Sequence, residues 1–254
     1  MPHRLPKAAR HTVGTSPTSH RTIMKKILSI AFALLLGAVS FTACSKDNDK
    51  DDNGSHSGNG TENGKGYIDL GLSVKWATCN VGAEKPEEYG DYYAWGETEV
   101  KTLYAWSSYK YCEGTEKSLT KYNTQSEYGM VDNKTTLDLA DDVVHVKWGG
   151  KWRMPTDSEM EELYTLCHWK STSKNNVSGY TVTGPNGNSI FLPAAGHLWY
   201  DTPFHVGENV AYWSSTLNSD KPDYAEGVCH FYGYPAGLSE SREVGLSVRP
   251  VIAK

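Results

Sequence analysis

After Tyr67 the apolar positions fall mostly in short alternating runs, and a single stretch switches to the helical period. Tyr67 to Leu70 and Ser73 to Thr78, parted by Gly71-Leu72, predict a first hairpin with Val74 and Trp76 on one face. Tyr180 to Val182 and Ile190 to Leu192 predict a second, around a Pro185-Asn186-Gly187 turn whose Asn and Gly tolerate positive φ. Further strands are expected over Ala211 to Thr216, Gly227 to Tyr232 and Val244 to Val248, with Pro250 ending the last.

The helical period appears after Trp152-Arg153-Met154-Pro155. Thr156 followed by Glu159 is a capping-box pattern, in which hydroxyl and carboxylate satisfy N–H groups of the first turn, a contribution of about 1 kcal/mol. Met160, Leu163, Tyr164 and Cys167 then share one apolar face while Asp157, Glu161 and Glu162 face water. The segment from Thr135 to Val146, with Asp138, Asp141 and Asp142, opens a short helical or extended element. Residues 79–131 carry Tyr, Gly, Glu and Trp without either period, the mark of a long ordered loop packed by its own rings. The sum is an α+β domain of one or two helices, short antiparallel strands and long loops.

Composition fixes where that domain starts. All 16 Tyr and 8 Trp lie at or beyond Tyr67, so residues 67–254 hold the core-forming side chains. A domain of about 190 residues buries about 70% of its unfolded surface without help from metals or disulfides. A net charge of −5 with no basic cluster in the domain argues against nucleic acid as a partner.

The first 66 residues read as an address and a tether. Met24-Lys25-Lys26, the apolar run Ile27 to Val39 and Phe41-Thr42-Ala43-Cys44 form the three parts of a signal peptide, residues 24–43. The competing transmembrane reading needs about 20 apolar residues, more than this run supplies. Phe41 to Cys44 resembles a bacterial lipobox, which implies lipidation of Cys44 and a membrane anchor, at about 0.8 kcal/mol per buried acyl CH2. Residues 1–23 precede the positive region and are expected to be a mis-called start, the true one being Met24. Residues 44–66, acidic and then Gly/Asn-rich, are expected to be a flexible tether. Their acidic start resembles the export signal of Bacteroidetes surface lipoproteins and equally suits a plain spacer.

Several motifs resemble one family together. Gly71 to Ala83, Tyr89-Gly90-Asp91-Tyr92-Tyr93-Ala94-Trp95-Gly96-Glu97, Trp152-Arg153-Met154-Pro155-Thr156, Tyr212-Trp213-Ser214-Ser215-Thr216 and Ser247-Val248-Arg249-Pro250-Val251 are similar to the Fibrobacter succinogenes major paralogous (FISUMP) domain. The resemblance implies a C-type-lectin-like fold in which the N- and C-terminal strands pair and a long loop region presents the binding face. It is distantly similar to formylglycine-generating enzymes, whose paired C-terminal cysteines are missing here, Cys229 standing alone. No catalytic residues are assigned; an enzyme would need His197, Asp201 and Cys229 to converge in a pocket.

No cofactor or metal is predicted. Calcium through Asp138, Asp141 and Asp142 is compatible with a lectin-like fold, yet the Glu-Pro-Asn and Trp-Asn-Asp sugar-ligating signatures are absent. Cys79, Cys112, Cys167 and Cys229 are free thiols or up to two disulfides, Cys79 with Cys167 being the favoured bridge. Arg153, if buried, needs a carboxylate, with Asp91, Glu97 and Asp142 as candidates. Trp76, Trp152 and Trp213 are expected in the core; His197, Trp199, Tyr200, Asp201, His230, Tyr232 and Tyr234 are the candidate ligand contacts. The expected function is a surface-anchored lipoprotein of the outer membrane, facing outside the cell, whose non-catalytic module binds a glycan or a protein. A structural component of the envelope or fimbriae is the alternative.

Overall fold

The computed structural model describes residues 59–231 and 233–254, so the predicted start, signal peptide and Cys44 lie outside the described residues. The chain opens with β1 (Gly60–Glu62), β2 (Lys65–Asp69) and β3 (Val74–Ala77). Two helices follow a long irregular stretch, α1 (Val143–Trp148) and α2 (Asp157–Leu166). Next come β4 (His168–Lys174), β5 (Val177–Thr183), β6 (Ser189–Pro193), β7 (His197–Trp199) and β8 (Thr202–Phe204). The chain ends with β9 (Val210–Leu217), β10 (Tyr224–Phe231), β11 (Tyr234–Ser241) and β12 (Val251–Ala253). All the sheets are antiparallel, in the orders β1-β2-β3-β12, β11-β10-β9, β4-β5-β6 and β7-β8. This is an α+β domain dominated by small antiparallel sheets.

The first sheet closes the two ends of the domain on each other. β12 lies against β3 with Val251 opposite Trp76 and Ala253 opposite Val74. The order begins earlier than composition suggests: β1 places Gly60 to Glu62 in the sheet, although these residues carry no apolar side chain. Backbone pairing recruits them, and the Trp152 indole N–H donates to the Glu62 carbonyl at 2.8 Å. Residues 60–66, expected in the tether, therefore belong to the folded domain.

Two apolar clusters fill the domain. One gathers Trp95, Trp152 and Trp213 with Tyr93, Tyr104, Tyr109, Tyr111 and Tyr122. The other joins Trp76, Met160 and Leu163 to Val182, Ile190, Leu192 and Val251. The irregular stretch is packed by its own rings, as its composition predicts. Trp106, Tyr109, Tyr111, Tyr122 and Trp95 form an edge-to-face chain with centroids 5.2–5.9 Å apart. Such pairs add about 0.5–1.5 kcal/mol each beyond their burial. Arg242 is fully buried among them and donates to the Tyr109 hydroxyl and the carbonyls of Lys121, Tyr122 and Pro222. It pins the loop from inside.

The capping box on α2 forms as the sequence predicts, with Thr156 accepting from the Glu159 N–H and Glu159 from the Thr156 N–H. Met160 and Leu163 are buried. Arg153 pairs with none of Asp91, Glu97 or Asp142. Its guanidinium forks onto Glu159 at 2.6 and 2.7 Å, because the glutamate that reaches back to cap the helix also turns its carboxylate toward the preceding strand end. Burial alone would raise the Glu159 carboxyl, but Arg153 and the Thr156 N–H hold it below its usual value. Asp142 instead caps α1 and accepts the Met154 N–H.

Two further expectations are corrected. Val244 to Val248 is not a regular strand: its residues are buried on both faces and make single bridges to Tyr93, Leu198 and Tyr212. All four cysteines of the described chain are free, so the Cys79–Cys167 bridge does not form. The Cys79 sulfur turns to the Glu84 carbonyl, while Cys167 caps α2 and packs against the second cluster.

Candidate functional site

The β7–β8 hairpin carries two exposed aromatics, Trp199 and Tyr200. Trp199 pairs with Thr202, so Tyr200 and Asp201 form the two-residue turn. Tyr200 sits there at φ 57°, a left-handed conformation that usually takes Gly or Asn and costs a tyrosine roughly 1–2 kcal/mol. The conformation is held from outside. Tyr104 and Tyr200 exchange backbone hydrogen bonds at 2.7 and 2.8 Å, and Leu198 and Gly245 exchange another pair at 2.8 and 2.9 Å. Gly245 is needed for that approach, since a Cβ there would lie 2.7 Å from the Tyr104 ring and 3.1 Å from Leu198. The hairpin tip is thus rigid although it projects.

On that tip Trp199 is 49% and Tyr200 51% exposed. Their rings meet edge-on at 5.4 Å, and the Phe204 ring lies 6.1 Å from Trp199. His197 stacks on Phe204 with centroids 5.6 Å apart. A cleft of about 360 Å³ opens beside these rings, lined by His197, Trp199, Tyr224, Glu240, Ser241, Glu243 and Val244. Glu243 is almost wholly buried, and burial pushes its carboxyl above the ordinary range although the Ser241 hydroxyl donates to it. Burial lowers His197 below its usual value, against the pull of Glu240, so its imidazole is neutral at pH 7. The cleft offers an aromatic wall, two carboxyl groups and a neutral imidazole. A second cleft of about 380 Å³ lies along His205, Glu208, Asn209 and Phe231.

The candidate ligand contacts divide accordingly. His197, Trp199, Tyr200 and Asp201 come together on the hairpin, with Asp201 exposed at the turn. Tyr234 is 61% exposed at the start of β11. His230 does not belong with them: it is buried, stacked on Tyr180 at 3.8 Å with Trp169 at 5.8 Å, because the alternation of β10 turns it inward. Tyr232 lies outside the described residues. The cleft that His197 lines includes neither Asp201 nor Cys229. Cys229 packs in the first core cluster, where burial pushes its thiol up to about 11.

Tyr224, Glu240 and Glu243 were not legible as site residues. The run Ser239-Glu240-Ser241-Arg242-Glu243 reads as a solvated strand end, and nothing in it signals that Arg242 and Glu243 are buried. Among the described residues no cluster of three or more His, Cys, Asp or Glu could hold a metal, and no helix is long and apolar enough to cross a membrane. No family model, curated protein or solved structure matches the chain at a significant level.

Proposed function

We propose that the protein is a lipid-anchored surface protein whose domain binds a glycan or protein ligand without transforming it. The anchor is Cys44, after the signal peptide at 24–43, and the site is the β7–β8 hairpin with its adjoining cleft. The location in this reading is the outer membrane with the domain on the outer face, supported by the resemblance of the lipobox and of the acidic stretch after Cys44 to those of surface lipoproteins. The domain is best read as FISUMP-type and C-type-lectin-like, a reading supported by the β3–β12 pairing of the two ends and by the long ordered loop between β3 and α1.

The observation that carries the binding reading is Tyr200 in a left-handed turn beside half-exposed Trp199, on a hairpin fixed by four backbone hydrogen bonds. Strained backbone persists where the surroundings over-determine it, and rigid aromatics give large contact area at low entropy cost. A glycan array and a pull-down from an envelope extract test it together. Capture should be lost in Trp199→Ala combined with Tyr200→Ala at an unchanged fold; capture that survives both substitutions would place the site elsewhere.

A further inference from the structure

We propose that the cleft between β7 and the end of β11 receives a cationic side chain, arginine or lysine, of a protein ligand. Trp199 forms one wall, and Glu240 and Glu243 supply the counter-charge. The proposal rests on the binding reading above and narrows its ligand.

The charge balance of the cleft is the first argument. Its lining holds two carboxyl groups and no lysine or arginine. Among the described residues neither Glu240 nor Glu243 makes an ion pair. Glu243 is only 5% exposed. Its Oε2 accepts the Ser241 hydroxyl and its own backbone N–H acts on the carboxyl, so the partners it has among the described residues are neutral groups. Glu240 and Asp223 push its carboxyl further up. A carboxylate held out of water without a cation is disfavoured, and a guanidinium or ammonium entering the cleft offsets that penalty.

The aromatic wall is the second argument, independent of the first. A cation within about 6 Å of an indole face is held by the ring quadrupole, most strongly for Trp. Trp199 keeps half its surface open while Tyr200 and Phe204 fix its position. The same chain uses this pairing elsewhere: Arg242 lies 5.0 Å from the Trp95 centroid and Lys221 lies 3.3 Å from that of Tyr224. Lys221, over the Tyr224 ring, makes no ion pair with Glu240 or Glu243 among the described residues. The rim favours a protein over an amino sugar, because half-exposed Tyr200, in edge contact with Trp199, adds the aromatic surface that protein hot spots use.

The test is a titration of the purified protein followed through the Trp199 indole N–H signal in NMR, assigned by its loss in Trp199→Phe. The probes are N-acetyl-arginine amide, its neutral isostere N-acetyl-citrulline amide, glucosamine and glucose. The arginine probe should give a saturable shift, the citrulline probe one at least tenfold weaker, and added salt should weaken the first. Glu240→Gln and Glu243→Gln should each weaken the arginine response at least tenfold at unchanged melting temperature. Should Glu243→Gln unfold the protein, Glu240→Gln decides alone, since Glu240 is half-buried at the surface. An equal response to citrulline, no response to arginine, or a response to glucosamine alone overturns the proposal. These failures are separable from failure of the binding reading: capture that depends on Trp199 while the arginine probe is ignored refutes the cation alone.

Discussion

Glu159→Gln separates the two tasks of one carboxylate. Glu159 accepts the Thr156 N–H at 2.8 Å as the second half of the capping box and takes the Arg153 fork at 2.6 and 2.7 Å. Glutamine keeps an acceptor for the cap and discards the charge. The Arg153 side chain is 32% and the Glu159 side chain 13% exposed, so the pair is partly screened. Its bidentate geometry places it at the upper end of exposed pairs, about 1 kcal/mol. Glu159→Ala also loses the cap, for about 2 kcal/mol in total. In a domain of this size that is a fall in Tm of roughly 4–8 °C for alanine and half as much for glutamine.

The pH dependence of that deficit follows from the depressed folded-state value of Glu159. A group with a lowered pKa contributes stability above its unfolded value, about 4.3, and loses it as pH falls through the folded value. The difference between wild type and Glu159→Gln in urea unfolding should therefore be full at pH 7 and should vanish at the acid end. Other carboxyl groups shift both proteins alike, so the difference isolates Glu159. The same deficit at both ends of the pH range would show that the charge contributes nothing and refute the reasoning.

Further expectations concern the core and the hairpin. Arg242→Met should cost about 3 kcal/mol or more in urea unfolding, because it leaves two buried carbonyls and one half-buried carbonyl unpaired. Arg153→Ala should lower Tm while leaving capture by the folded protein intact; lost capture at unchanged Tm would assign it to the site. A thiol count in denaturant without reductant should find Cys79, Cys112, Cys167 and Cys229 all free. In the native protein Cys167 and Cys229, both pushed up to about 11, should react slowly with disulfide reagents at pH 8. Gly245→Ala should displace the hairpin through the Tyr104 and Leu198 contacts and weaken capture more than the drop in Tm explains.

What the sequence makes legible is whatever a local period or a turn residue encodes. The capping box, the hairpins at 67–78 and 180–192 and the buried Trp76, Trp152 and Trp213 follow from neighbours a few residues away. The misses depend on partners far along the chain. Lys170 and Ser171 carry no apolar alternation, yet β4 forms because β5 pairs with it over its whole length. Val244 to Val248 alternates like a strand, but three separate segments claim its backbone. Arg242 and Arg249 look like surface residues and are instead buried donors to backbone carbonyls, Arg242 to those of loops and Arg249 to those of β3 and β6. The site divides along the same line: Trp199 and Tyr200 announce themselves as surplus aromatics, whereas Glu240 and Glu243 become site residues only when β11 returns beside β7.

The central claim is that the rigid hairpin tip is the binding face. Its most direct test is capture of ligand from an envelope extract by the purified wild-type protein and by Trp199→Ala, with Tm measured on both. Capture by wild type and its loss in Trp199→Ala at unchanged Tm is the predicted result; equal capture by the two proteins would contradict it.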